Sequence, residues 1–380
     1  MAASNWSMTL IMYLEGNSST NYTTQCVFDV AQFLRYAGTI IVILGFIGNF
    51  LSIIIFSRKS LRSRSCSMYF LALSMSDICV LIGYTSENLL FHGYHIQLLS
   101  NTYICKLVIF LIYASTDISN YLLTLAAIDR CVLISYRSGH YRFCRKSIAK
   151  ILITVVVILF SLINSHLLYG FHVEQTDSCL PKPNPYRNFY IRHYDAYIDI
   201  IKTVLIPFLT IFICNIFIIF RLTRKQNLLT RVASRRRSRR RIEKDRQLTG
   251  FLLLTSILFI LLSLPSEIND VLRTYLSMQF QQTYACTLWT STTVLILLHQ
   301  TNHASHFYVY TLTGPIFRKE FQKCFCHYRS NNSKHLCDYS KRQSITSRFT
   351  TNHHDDGEDR RMSLFLRQTH SLALANVKSE

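Results

Sequence analysis

The chain has little of what a flexible or loop-rich protein uses. Its 380 residues include only 11 Gly and 6 Pro, which leaves little room for long linkers. Tryptophan is limited to Trp6 and Trp289. Charge is also scarce: charged residues make up 16% and hydrophobic ones 49%, whereas an ordinary soluble domain carries about 25% charged residues. That balance excludes an ordinary soluble domain. The net charge of +20 would suit a nucleic-acid partner, but its distribution does not. Lys and Arg are absent from residues 1–31 and nearly absent before Arg58. No repeat of the solenoid or inverted-transporter kind is present.

What the chain does have is apolar runs long enough for a bilayer, which takes about 20 residues to cross. Residues 105–136 organise the rest: the run opens at Cys105, closes on Asp129-Arg130-Cys131, and carries Asp117, Ser119, Asn120 and Thr124 in mid-span. Such groups are costly in lipid unless they face protein or water, so this helix belongs inside a bundle. Seven spans are predicted, at 33–56, 66–90, 103–136, 148–171, 194–222, 248–276 and 287–312. The first, third and fifth connections hold the basic clusters, including the runs Arg235–Arg237 and Arg239–Arg241. The second, between His92 and Asn101, has no Lys or Arg. By the positive-inside rule the amino terminus lies outside and the carboxyl terminus inside.

The flanks agree with that topology. Residues 1–32 read as an external tail with acceptor sequons at Asn5, Asn17 and Asn21. After the bundle at 33–313, residues 314–328 read as an amphipathic helix lying on the inner leaflet. Cys324 and Cys326 are placed there for S-acylation. Residues 329–380 are polar and read as a disordered cytoplasmic tail. The expected fold is all-α, a seven-transmembrane bundle with a short interfacial helix, in the plasma membrane.

Short motifs at ordered spacing give the chain a resemblance. Gly48-Asn49, Leu73-Ser74-Met75-Ser76-Asp77, Asp129-Arg130-Cys131, Pro207, Leu262-Ser263-Leu264-Pro265 and His306-Phe307-Tyr308-Val309-Tyr310 follow one another in the order of a known pattern. Over about residues 34–326 the chain resembles the rhodopsin-like (class A) G protein-coupled receptors, most closely the divergent invertebrate neuropeptide receptors of the FMRFamide-like kind. It departs from the pattern at Ser263, where the sixth-span Trp is missing, and at His306 and Phe307, where the family has Asn-Pro. The fourth span also lacks its Trp.

The resemblance implies roles for particular residues. It pairs Cys105 with Cys179, and Cys26 with Cys286 is a possible second bridge. It places Asp129, Arg130, Asp245, Asn215 and Tyr310 in the coupling machinery, with Arg130 a latch between carboxylates on two spans. It groups Asn49, Asp77, Ser119, Asn302 and His306 around a polar core that holds sodium in many relatives. Because His306 replaces an amide, a proton on the Asp77–His306 pair and a plain hydrogen-bond network remain alternatives. It lines the ligand site with Glu87, Tyr113, Glu267, Asp270 and Gln300. Ile112, at the position where amine receptors carry Asp, argues against a biogenic amine. With Asp195 and Asp199 these acids favour a cationic peptide-like ligand.

His299, His303 and His306 share one helical face and read as packing residues rather than metal ligands. The seventh span contains no Lys, which excludes a Schiff-base photoreceptor. The expected protein is therefore a receptor and not an enzyme. Its expected partners are an extracellular peptide-like ligand, a heterotrimeric G protein, arrestin, a receptor kinase and membrane lipid. A transporter or proton-sensing membrane protein built on Asp77 and the seventh-span histidines is the alternative.

Overall fold

A helix that packs inside a bundle and faces lipid outside should be apolar on its outer stripe and small or polar on its inner one. The chain folds on that rule. The computed structural model describes residues 21–62, 65–135, 144–173, 179–231, 236–276, 284–313, 317–318 and 320–323.

Seven long helices carry the structure. Helix α1 runs through Asn21–Phe33, a π-helical Leu34–Gly38 and Thr39–Phe56. Helix α2 spans Ser65–Tyr84 and continues as π-helix over Thr85–Gly93. Helix α3 is Thr102–Ser135. Helix α4, Lys146–Asn164, is followed after one turn by His166–Gly170. Helix α5 joins Tyr186–Phe189, a π-helical Tyr190–Leu205 and Ile206–Arg231. Helices α6 and α7 are Arg236–Tyr275 and Ala285–Thr313. Strands β1 (Phe171–Val173) and β2 (Cys179–Pro181) form an antiparallel hairpin between α4 and α5, with Val173 opposite Cys179.

Six of these stretches are long and apolar enough to cross a bilayer: Phe28–Phe56, Ser65–Gly93, Thr102–Ile134, Lys146–Gly170, Tyr186–Arg221 and Leu253–Tyr275. Helix α7 is equally long, but His299, Gln300, Asn302, His303 and His306 dilute its apolar character; all five are buried. The first helix begins at Asn21, inside the segment expected to be tail.

The outer faces are legible residue by residue. Along α4, Ile151, Val155, Ile158 and Leu162 are exposed at helical spacing, while Ala149, Val156, Phe160 and Asn164 are buried on the opposite side. Along α1, Ile40, Ile43, Leu44, Ile47 and Phe50 face out, and Gly45, Gly48, Asn49 and Ser52 face in. Small residues let these helices approach closely. A Cβ on Gly45 would stand 2.6 Å from Leu81 Cδ1 and 2.9 Å from Ala304 Cβ, so α1, α2 and α7 meet there at glycine distance.

The prolines mark where helical ladders lose a donor. The π-helical register of α5 ends at Leu205, just before Ile206-Pro207. Pro265 sits inside α6. Beyond Phe317 the chain forms a separate unit. In it residues 320–323 are helical, with Lys323 Nζ 2.7 Å from Glu320 Oε1.

Candidate functional site

Two disulfides stand at one end of the bundle. Cys105, in the first turn of α3, is bonded to Cys179 on β2, and Cys26 of α1 is bonded to Cys286 of α7. The first holds the hairpin against α3 in a cluster with Leu99, Ile109, Phe171 and Tyr190. The second packs with Val30 and Trp289.

Below the hairpin, α3 and α5 are joined by a ladder of polar groups. The Tyr113 hydroxyl donates to Asp195 Oδ1 at 2.5 Å, and the Tyr113 and Tyr190 hydroxyls hydrogen-bond one another. Deeper, Lys202 Nζ lies 2.7 Å from Asp117 Oδ2 and 2.5 Å from Asp199 Oδ1. Asp117 also accepts from Thr203 Oγ1 at 2.6 Å and Asn164 Nδ2 at 2.8 Å, and the Tyr194 hydroxyl donates to Asn164 Oδ1 at 2.5 Å. The rings of Tyr113 and Tyr194 flank the ammonium at 5.8 and 5.4 Å. Asp117, Asp199 and Thr203 are each no more than 1% exposed. A buried charge survives only if paired and hydrogen-bonded, and this ammonium has both kinds of partner. With two carboxylates to one ammonium, the group still carries a formal excess of negative charge.

More acid surrounds it. Glu87 of α2, Asp199 of α5, and Glu267 and Asp270 of α6 all lie within electrostatic range of the Tyr84 hydroxyl. All four, and Asp195, are buried. Asp195 Oδ2 has no hydrogen-bond partner among the described residues. Two described cations interact with this group: Lys202, paired with Asp199, and Arg273, whose guanidinium donates to Thr292 at 2.8 Å and interacts electrostatically with Asp270 and Asp195. Of the residues expected to line a ligand site, Glu87, Glu267 and Asp270 are buried within electrostatic range of Tyr84, and Tyr113 is buried against Asp195, an acidic chamber in the sense of charge alone. Gln300 is buried on α7.

The bundle centre is built on Asp77, which is fully buried. Its Oδ1 accepts from Ser119 Oγ at 2.6 Å and from His303 Nδ1 at 2.8 Å, and its Oδ2 from His306 Nδ1 at 2.8 Å. A carboxylate is acceptor-only, which fixes the proton of each imidazole on Nδ1. Asn49 Nδ2 donates to the His303 carbonyl at 3.1 Å. Asn302, expected in this group, is buried one turn before His306 on α7 but makes no hydrogen bond to Asp77. His299 stacks between Tyr84 at 5.5 Å and His303 at 5.2 Å.

At the far end Arg130 NH2 lies 3.6 Å from Asp129 Oδ2, both side chains nearly buried. The Cys144 thiol donates to the Asp129 carbonyl at 3.4 Å. Burial, and then the Asp129 carboxylate, push that thiol up to about 12. Asn215 Nδ2 donates to Ser256 Oγ at 2.8 Å, which ties α5 to α6. Tyr310 packs against Phe56, Phe70 and Phe317, with ring centroids at 5.1, 5.2 and 5.5 Å. The second carboxylate of the expected latch, Asp245, lies outside the residues whose side chains are described.

The profile of the seven-transmembrane receptors (rhodopsin family) matches residues 48–302 of this chain, which is more than half its length. The chain belongs to that family. Rhodopsin-family proteins are receptors, not enzymes, and this receptor is a multi-pass membrane protein. A comparison with curated proteins found no match. The match begins at Gly48 and ends at Asn302, so it takes in the acidic chamber, Asp77 and the Asp129–Arg130 pair. The receptor's sequons at Asn5 and Asn17, the side chain of Asn21, and Cys324 and Cys326 lie outside the described residues.

Sequence reasoning does not reach the Lys202–Asp117–Asp199 group: Lys202, Asn164 and Thr203 carry no motif, and Asp117 stands out only by its cost in lipid. The signal was there: Lys202 interrupts the apolar Ile200-Ile201-Lys202-Thr203-Val204-Leu205 in mid-span. An ionisable residue inside a span marks a functional site by default.

Proposed function

We propose that this receptor binds a cationic, peptide-like ligand at its disulfide-bearing end and activates a heterotrimeric G protein at the Arg130 end. In this reading the amino terminus and both disulfides face outside the cell, and the carboxyl terminus faces the cytoplasm. The support is the alternation of Lys and Arg between connections and the oxidising compartment that disulfides require.

One observation carries the choice of ligand: Glu87, Asp199, Glu267 and Asp270, from three helices, are buried within electrostatic range of Tyr84, and Asp195 is within range of Asp199 and Asp270, with Lys202 and Arg273 as described counter-cations. Carboxylates gathered in a low-dielectric cleft focus a negative potential. An arginine or lysine of a peptide relieves their mutual repulsion, while an anionic ligand worsens it. Ile112, fully buried where amine receptors present a carboxylate, leaves a small amine without its usual anchor.

Ligand binding then shifts a pre-existing equilibrium between bundle packings. The ladder from Asp195 through Tyr113 to Lys202 and Asp117 joins α5 to α3, and α3 carries Arg130 at its other end. Outward movement of α6 breaks the Asn215–Ser256 contact and opens a crevice for the G protein. A phosphorylated tail recruiting arrestin after a receptor kinase has acted completes the cycle.

The test is a set of capped peptides alike except for one Arg, Lys, Gln or Glu, applied to cells expressing the receptor. Potency should follow Arg and Lys over Gln over Glu, and Glu267→Gln should narrow the gap. Equal potency of the Arg and Gln peptides would remove the electrostatic argument.

A further inference from the structure

The family resemblance implies a sodium ion beside Asp77, and the residues present do not fit one. We infer that His303 and His306 fill the ion's place, so that α2 and α7 are cross-linked directly and the bundle centre does not take sodium. A hard cation is held by oxygen lone pairs. Here both oxygens of Asp77 are already engaged by donors: His303 Nδ1–H and Ser119 Oγ–H on Oδ1, and His306 Nδ1–H on Oδ2. Those donors aim protons at the positions from which a carboxylate would coordinate a metal. They take three of the carboxylate's four lone-pair sites, so an ion entering there meets two N–H groups and a single remaining lone pair on Oδ2.

The rest of the shell offers little more. Asn49 commits its Nδ2 to the His303 carbonyl, which leaves Oδ1 as one buried oxygen without a hydrogen-bond partner among the described residues. Asn302 does not bond to Asp77. The two imidazoles are bulky, and each turns an N–H, not a lone pair, toward the carboxylate. His303 is 0% and His306 2% exposed, and their rings lie 6.5 Å apart at 84°, one on each side of the carboxylate. Moving either aside to admit an ion would cost a charge-assisted hydrogen bond in a dry core.

The consequence is a receptor whose conformational balance is independent of sodium. The test uses the full-length receptor in lipid nanodiscs, without any ligand, and reads its unfolding midpoint in sodium chloride against choline chloride at equal ionic strength. The wild-type midpoints should coincide. Replacing both rings with oxygen-bearing side chains, His303→Ser with His306→Asn, frees Asp77 and supplies the missing donors. That variant should gain a saturable, sodium-dependent rise in midpoint, and His306→Asn alone should gain a smaller one if the double variant folds poorly. A saturable sodium-dependent rise in the wild-type receptor would overturn the inference. So would variants that fold and stay indifferent to sodium, because the histidines would then not be what excludes the ion.

Discussion

Replacing Lys202 with Met should be among the most damaging single changes in the bundle. The ammonium lies 2.7 Å from Asp117 and 2.5 Å from Asp199, and removing it leaves two carboxylates facing one another in a site that water hardly reaches. Breaking a buried ion pair by deleting one partner costs about 3–5 kcal/mol. At about 2–4 °C per kcal/mol, the unfolding midpoint should fall by roughly 6–20 °C. Asp199→Asn and Asp117→Asn each leave one carboxylate on the ammonium, so each should cost less than Lys202→Met. The triple variant Asp117→Asn, Asp199→Asn and Lys202→Met removes every charge and should recover part of the loss, because a neutral core carries no desolvation penalty. A thiol-reactive dye that reports exposure of Cys66 and Cys214, both buried and neither in a disulfide, reads these midpoints in detergent or nanodiscs. A Lys202→Met midpoint within about 2 °C of wild type, less than 1 kcal/mol by the same scale, would refute the pairing. So would a triple variant less stable than the single one.

Other changes follow from the same geometry. Gly45→Ala places a methyl 2.6 Å from Leu81 Cδ1 and 2.9 Å from Ala304 Cβ; overpacking of this kind costs about 1–3 kcal/mol and should lower both midpoint and surface expression. Cys105→Ser with Cys179→Ser opens a link across 74 residues and should cost about 2–5 kcal/mol, measured as a lower midpoint. Cys144 is held in its thiol form by burial and by Asp129, up to about 12. Only the thiolate is nucleophilic. Its alkylation, followed by mass spectrometry, should therefore be slow at mildly alkaline pH, rise steadily as pH climbs, and be faster in Asp129→Asn.

How much of this was readable from residues alone depends on the range of the interaction. Apolar runs and basic connections are local features, and they give seven helices in the observed order. The start of α1 at Asn21 was not local in that sense. Residues 21–32 are polar enough to read as tail, and their helix is held by the Cys26–Cys286 link and by Trp289, which lie 260 residues away along the chain. The Asp77 cluster was half legible. The shared face of the three histidines follows from helical spacing, yet nothing in the spacing says that His303 and His306 would take opposite oxygens of one carboxylate. Lys202 needed Asp117, from a helix 85 residues earlier, before its cost in lipid became a bond. Pairings across spans are fixed by helix rotation and depth, and a single sequence does not report either one.

The central claim, a receptor gated at the acidic chamber and read out through Arg130, is tested most directly by separating binding from signalling. Wild type and Arg130→Ala would be brought to matched surface expression. Each would then be exposed to an arginine-bearing peptide that stimulates the wild type, while peptide binding and G-protein nucleotide exchange are recorded together. The account predicts that Arg130→Ala binds the peptide and drives no exchange. Undiminished exchange in Arg130→Ala would contradict it.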